Sequence, residues 1–208
     1  MDQIMSQFIA KFGGRFQASD KKTIVYDPSA LLFLEEVCLF LDDYDEEVER
    51  YCKERDASET AVQINNARRY IEDELTKFFP SDVVRLMSSV GARMNLKGLA
   101  SDIDFGLLVK KAAFNKDKYG DILVSNGYQF KKELFGYYVY TKIVEEIEVE
   151  VKLRVYEESI QVIELHERLD ALSEKMQNKL AFAKALLVDN EELYGKFKWE
   201  IYSAYYVQ

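Results

Sequence analysis

The sequence predicts an α+β fold with additional helices at both ends. Helical periodicity fills the first 80 residues, the period changes at Asp82 to short apolar and alternating runs, and helical periodicity returns after residue 157. In the N-terminal helical region, residues 1–80, Pro28 follows Asp27 as at a helix start, and Leu31, Leu32, Leu34, Val37, Leu39 and Phe40 supply core-forming positions. Residues 46–55 are highly charged. Asp56-Ala57-Ser58 can open another helix, in which Ile64, Ala67, Ile71, Leu75 and Phe78 recur at helical spacing until Pro80 ends it. The core region, residues 81–157, carries the strands. Val83-Val84-Arg85-Leu86-Met87 is compatible with a buried strand, and residues 103–109 give a second. After a polar break at 115–118, residues 119–128 read as a short helix containing Gly120 and Gly127. Residues 137–143 and 147–155 alternate as an antiparallel hairpin joined at Val144-Glu145-Glu146. In residues 158–208 the helical pattern returns, with Ile163, Leu169, Leu172, Met176 and Leu180 in one series and Phe182, Leu186, Leu187, Tyr194, Phe197 and Ile201 in another. These C-terminal helices are expected to pack on the core region.

Composition narrows the functional classes. A chain of 208 residues with 48% hydrophobic content can bury a substantial core as one domain, or as a small domain with a helical appendage. The formal net charge of -9 speaks against tight generic binding to long nucleic acid, which favours a basic surface. No apolar run is long enough for a membrane span, and residues 1–12 lack the pattern of a signal peptide, so an intracellular, cytoplasmic protein is expected. Cys38 and Cys52 are too few for a disulfide framework, and with His166 as the one histidine a conventional zinc centre is excluded. Cys38 is expected to be buried and His166 to be structural. Any metal is expected to be held by oxygen.

One stretch carries chemistry. From Gly91 to Phe105 a glycine closes a strand, a polar loop follows, and a new strand opens with Asp102-Ile103-Asp104. Strand alternation puts Asp102 and Asp104 on one face. Two carboxylates so placed can share a pair of hard cations of the kind that stabilise the attacking and leaving oxygens in displacement at phosphorus. Backbone N–H groups around Gly91 would cradle a triphosphate, since a missing side chain permits close approach. A third carboxylate is expected from the later acidic strand, where Glu146, Glu148 and Glu150 alternate onto one face and Ile147, Val149, Val151 and Leu153 onto the other. Glu150, flanked by β-branched residues, is favoured and Glu148 comes second. Such like charges raise one another's pKa unless a cation or Arg154 compensates.

Gly91-Ala92 followed by Ser101-Asp102-Ile103-Asp104 resembles the signature of the DNA-polymerase-β-like nucleotidyltransferase superfamily, in which Gly-Ser precedes a loop of about ten residues and then Asp-x-Asp. The resemblance spans residues 82–155. It implies a mixed β-sheet flanked by helices, with Mg²⁺ or alternatively Mn²⁺ as cofactor. The implied reaction is transfer of a nucleoside monophosphate from an NTP such as ATP to a hydroxyl, with release of pyrophosphate. On that reading Asp102, Asp104 and Glu150 are both catalytic and metal-binding, while Gly91, Ala92, Arg93 and Ser101 bind the nucleotide. Ala92 departs from the family's serine and removes a hydroxyl from the triphosphate contact, with Ser88, Ser89 and Arg93 as candidates to compensate. Glu150-Val151-Lys152-Leu153-Arg154 is similar to the acidic strand of the alarmone synthetases, and residues 182–198 are similar to the end of the GrpB-like group.

The acceptor stays open among an RNA 3′ end, a protein side chain and a small molecule. Two rival readings also stand. Ala92 and the extra helices fit a catalytically silent member of the fold acting as a binding protein, and the alarmone resemblance fits pyrophosphate transfer to a nucleotide. Lys97, Lys110 and Lys111 are candidates to neutralise the phosphate site or, as the blander reading, solubilising surface charges. Tyr202, Tyr205 and Tyr206 are candidates to stack on a base, with packing on a helix face the commoner fate of such a cluster.

Overall fold

The computed structural model describes residues 1–18, 25–79, 84–88, 102–134 and 136–206, with residues 17, 18, 88 and 102 described by backbone alone. In chain order its elements are α1 (Asp2–Ala18), α2 (Pro28–Asp42), α3 (Asp45–Asp56), α4 (Glu59–Phe78), β1 (Val84–Ser88), β2 (Asp102–Val109), α5 (Lys116–Ser125), β3 (Gln129–Leu134), β4 (Tyr137–Val144), β5 (Ile147–Val155), α6 (Ile160–Asp170), α7 (Glu174–Leu186) and α8 (Glu191–Tyr205). The protein is α+β, and its helices and strands divide between two compact units. None of the described helices is long and apolar enough to cross a membrane.

The helical unit holds α1–α3 and α6–α8. Helix α2 starts as its sequence dictates: Pro28 needs no donor in the first turn, and the Asp27 carboxylate accepts from Ser29 N at 2.9 Å. The core is aromatic. Phe8 and Phe16 on α1 meet Phe197 on α8 edge to face at 6.1 and 6.0 Å, and Phe33 on α2 joins them. Two buried charges of this unit are paired. Glu200, 2% exposed, binds Arg15 at 2.9 Å, and Lys179 on α7 donates to Cys38 O at 3.0 Å and to Asp42, closing the end of α2. Cys38 is half-buried, not buried as expected: it lies along a cavity of about 440 Å³ lined also by Leu39, Asp42 and Met176. Its place on the edge of the apolar series of α2 explains the difference. Cys52 is buried, with its thiol 3.7 Å from Asn178 O.

The second unit holds α4, α5 and, among the described residues, a five-stranded mixed sheet in the order β1-β2-β5-β4-β3. Only β2 and β5 pair in parallel; the other neighbours are antiparallel. Alternation gives the sheet one apolar face. Ile103, Phe105, Leu107, Val149, Val151 and Leu153 form a single core with Ile64, Ala67, Ile71 and Leu75 of α4 and with Tyr119 and Leu123 of α5. Gly120 has a packing role in α5: a Cβ there would stand 2.3 Å from the Tyr140 hydroxyl and force that side chain to shift. The hairpin between β4 and β5 turns at Glu145 and Glu146, both at positive φ (49° and 69°), the backbone of a two-residue turn suited to the sheet's twist. Glu146 therefore belongs to the turn and not to the acidic face of the strand.

One ion pair lies at the helix side of this sheet. Lys142 donates to both carboxylate oxygens of Glu74 at 2.7 and 2.9 Å and to Asn126 O at 3.2 Å. The Tyr128 hydroxyl donates to the same carboxylate at 2.9 Å. Burial, and then that hydrogen bond, pushes the Tyr128 phenol up. Lys142→Met leaves the half-buried Glu74 carboxylate without its ammonium and is expected to cost about 2 kcal/mol. In urea unfolding the Lys142→Met/Glu74→Gln pair should lose less than the sum of the single changes; an additive result would mean the pair is not coupled.

Candidate active site

The parallel register of β2 and β5 sets Asp102 beside Glu148 and Asp104 beside Glu150. Neighbouring strands lie about 4.8 Å apart, so Asp104 has Glu150 as its lateral neighbour on the same face of the sheet. That face is opposite the one covered by α4 and α5, because Ile103, Phe105, Val149 and Val151 occupy the intervening positions and are buried in the core. The apolar alternation of the two strands is thus what directs the carboxylates away from the helices.

Three of these carboxylates are described by their side chains, and lysines reach all of them. Lys152, two residues beyond Glu150 on the same face, holds Asp104 Oδ2 at 2.8 Å and stands 3.8 Å from Glu150 Oε2. Lys131, from β3, holds Glu150 Oε1 at 2.7 Å and Glu148 Oε1 at 2.5 Å. The Thr141 hydroxyl donates to Glu148 Oε1 at 3.1 Å. Glu150 is the most enclosed of the three, its side chain 13% exposed against 38% for Asp104. The Lys131 ammonium, and then the Thr141 hydroxyl, hold the Glu148 carboxyl below its usual range. The compensating cations for this acidic strand are Lys131 and Lys152; the Arg154 guanidinium lies over the Tyr137 ring at 4.0 Å.

The donor set fits a hard divalent cation. The donors are all carboxylate oxygens on rigid strands, and Asp104 Oδ1 is buried without a hydrogen-bond partner. Among the described residues no group of three such ligands is already gathered as a metal site, and the Asp102 side chain is outside that description. Gly91, Ala92, Arg93 and Ser101, the expected nucleotide-binding residues, likewise lie outside the described residues, as do Ser89 and Lys97.

Lys110 and Lys111 follow the far end of β2, roughly 20 Å along the strand from its aspartate end. Lys111 there binds Glu157 through its backbone N–H at 2.8 Å and Glu158 through Nζ at 3.3 Å. Lys111 thus serves the strand's exit. In the helical unit Tyr205 donates to Met176 Sδ at 3.8 Å and Tyr206 to Gln161 Oε1 at 2.8 Å. Lys131 and Thr141 left no mark in the sequence, since they reach Glu148 from other strands. Lys152 did, at the next same-face position after Glu150.

No protein-family model matches the sequence, and no curated protein matches it. Among solved structures, the chain is similar to a mutant of the Cid1 poly(U) polymerase bound to MgATP, with 13% sequence identity and a TM-score of 0.46. The similarity covers 72% of this chain and 47% of that one, so the chain spans about half the length of the polymerase it matches.

Proposed function

We propose that this chain is a metal-dependent nucleotidyltransferase that moves a nucleoside monophosphate from an NTP to a hydroxyl acceptor and releases pyrophosphate. The observation that carries this reading is the register that sets Asp104 beside Glu150, with Asp104 Oδ1 buried and unpartnered. Asp102, Asp104 and Glu150 are the proposed ligands of Mg²⁺ or Mn²⁺, with Glu148 as the alternative third carboxylate. Bound divalent cations would neutralise charge on the phosphate and polarise the attacking hydroxyl. The chain's own work is then positional. Strands β2 and β5 fix the carboxylates laterally and Thr141 orients Glu148; Glu150 is the proposed acceptor of the hydroxyl's proton. Gly91, Ala92, Arg93 and Ser101 are proposed, from the sequence motif, to receive the triphosphate.

A second reading, a silent member of the fold, is favoured by Lys131 and Lys152, which already pair with one oxygen of each described carboxylate. Calorimetric titration of each NTP with Mg²⁺ separates the two. The wild type is expected to bind at least one NTP only when the metal is present, and an Asp102→Ala/Asp104→Ala double variant to lose that binding. Absence of binding to the wild type would favour the silent reading. Product analysis identifies the transferred group: pyrophosphate release fits nucleotidyl transfer, and AMP release fits pyrophosphate transfer.

A further inference from the structure

We infer that Lys131 is a resident counter-cation of the carboxylate site, which must leave Glu148 and Glu150 before a divalent cation can take their oxygens; the inference rests on the metal-dependent reading above. Strand β3 is an exposed edge strand, where a lysine has open solvent available to it. The ladder between β3 and β4 shifts register between Phe130 and Lys132, which makes Lys131 the extra residue of a bulge. Bulges re-aim side chains. Here the ammonium reaches past β4 to two glutamates on β5, at 2.5 and 2.7 Å, where solvent would serve a merely solubilising lysine.

The charges explain why such a residue matters. Glu148 and Glu150 lie on one face two residues apart and Asp104 is lateral to Glu150, so three carboxylates share a small area with the two ammonium groups of Lys131 and Lys152. These five groups carry one negative charge in excess. A divalent cation entering while Lys131 stays would meet a like charge across the shared carboxylates, so Lys131 lowers the affinity of the empty site for metal. Removing the ammonium leaves Glu148 with the Thr141 hydroxyl and Glu150 with Lys152 at 3.8 Å, so a metal would supply the charge that Lys131 supplied.

Mn²⁺ is the probe, titrated into the full chain without nucleotide and followed by calorimetry and by the electron paramagnetic resonance signal of the free ion. Lys131→Met is expected to bind Mn²⁺ about tenfold more tightly than the wild type, the scale of one like charge removed a few ångströms from a divalent ion. Lys131→Gln should do the same should the methionine variant fold poorly. Lys131→Arg, which keeps the charge, should bind Mn²⁺ no more tightly than the wild type. Lys111→Met removes the same charge at the far end of β2, roughly 20 Å along the strand, and should stay within about twofold of the wild type. Equal or weaker binding by Lys131→Met and Lys131→Gln, with wild-type binding lost in Asp104→Asn, overturns the inference and leaves the metal site standing. No Mn²⁺ binding by any variant overturns both.

Discussion

Replacing Asp104 by asparagine is expected to lower the proposed metal-dependent nucleotidyl transfer by on the order of 10³-fold while the second unit stays folded. The substitution conserves shape and removes one negative charge. A metal-ligating carboxylate contributes through that charge, and an amide oxygen replaces it poorly for a hard cation. The amide also sets a donor near the Lys152 ammonium, now 2.8 Å from Oδ2, so the local pairing is lost as well. Stability should change little, because the Asp104 side chain is 38% exposed and the apolar face beneath it, Ile103 and Phe105, is untouched. Pyrophosphate release measured beside thermal unfolding separates the two effects. Transfer within about tenfold of the wild type would remove Asp104 from the proposed ligands.

The elements whose burial is one-sided were the ones legible in the sequence. Helix α4 shows Ile64, Ala67, Ile71 and Leu75 at the spacing that faces the core, and β2 and β5 alternate because only one of their faces meets α4 and α5. Strand β3 went unread for the same reason inverted. Nearly every residue from Gln129 to Leu134 is exposed, so an edge strand with no buried face leaves no periodic trace. The break between α2 and α3 at Asp43 and Tyr44 was equally silent, since it has neither Gly nor Pro. At the site, the motif gave the carboxylates, and strand parity gave their common face. It could not give their neighbours. The parallel pairing of β2 with β5 joins residues more than forty positions apart, and Lys131 reaches its glutamates only because β4 lies between β3 and β5 in the sheet. Contacts of that kind are properties of sheet order, which no local pattern encodes.

The stability of the helical unit is expected to rise with pH between about 7 and 10, and Lys184 is the cause. This lysine sits on α7 at 4% exposure, 5.4 Å from the centre of the Tyr194 ring. Burial, with a smaller push from the Lys198 charge, holds its ammonium down at about 7 from an ordinary value of 10.5. Below pH 7 the group is protonated whether the chain is folded or not, so the full cost of burying the charge is present. Between the folded and unfolded values the unfolded chain binds the extra proton, and each pH unit then adds stability, up to about 1.4 kcal/mol for one proton. Other groups titrate in the same range, so the informative quantity is the difference between the wild type and Lys184→Met. The methionine variant should be the more stable at pH 7, and its advantage should shrink steadily when urea unfolding is repeated at pH 8.5 and 10. A constant difference would mean that Lys184 does not change its protonation on folding, and that the Tyr194 face and its other neighbours offset the loss of water around a charged ammonium.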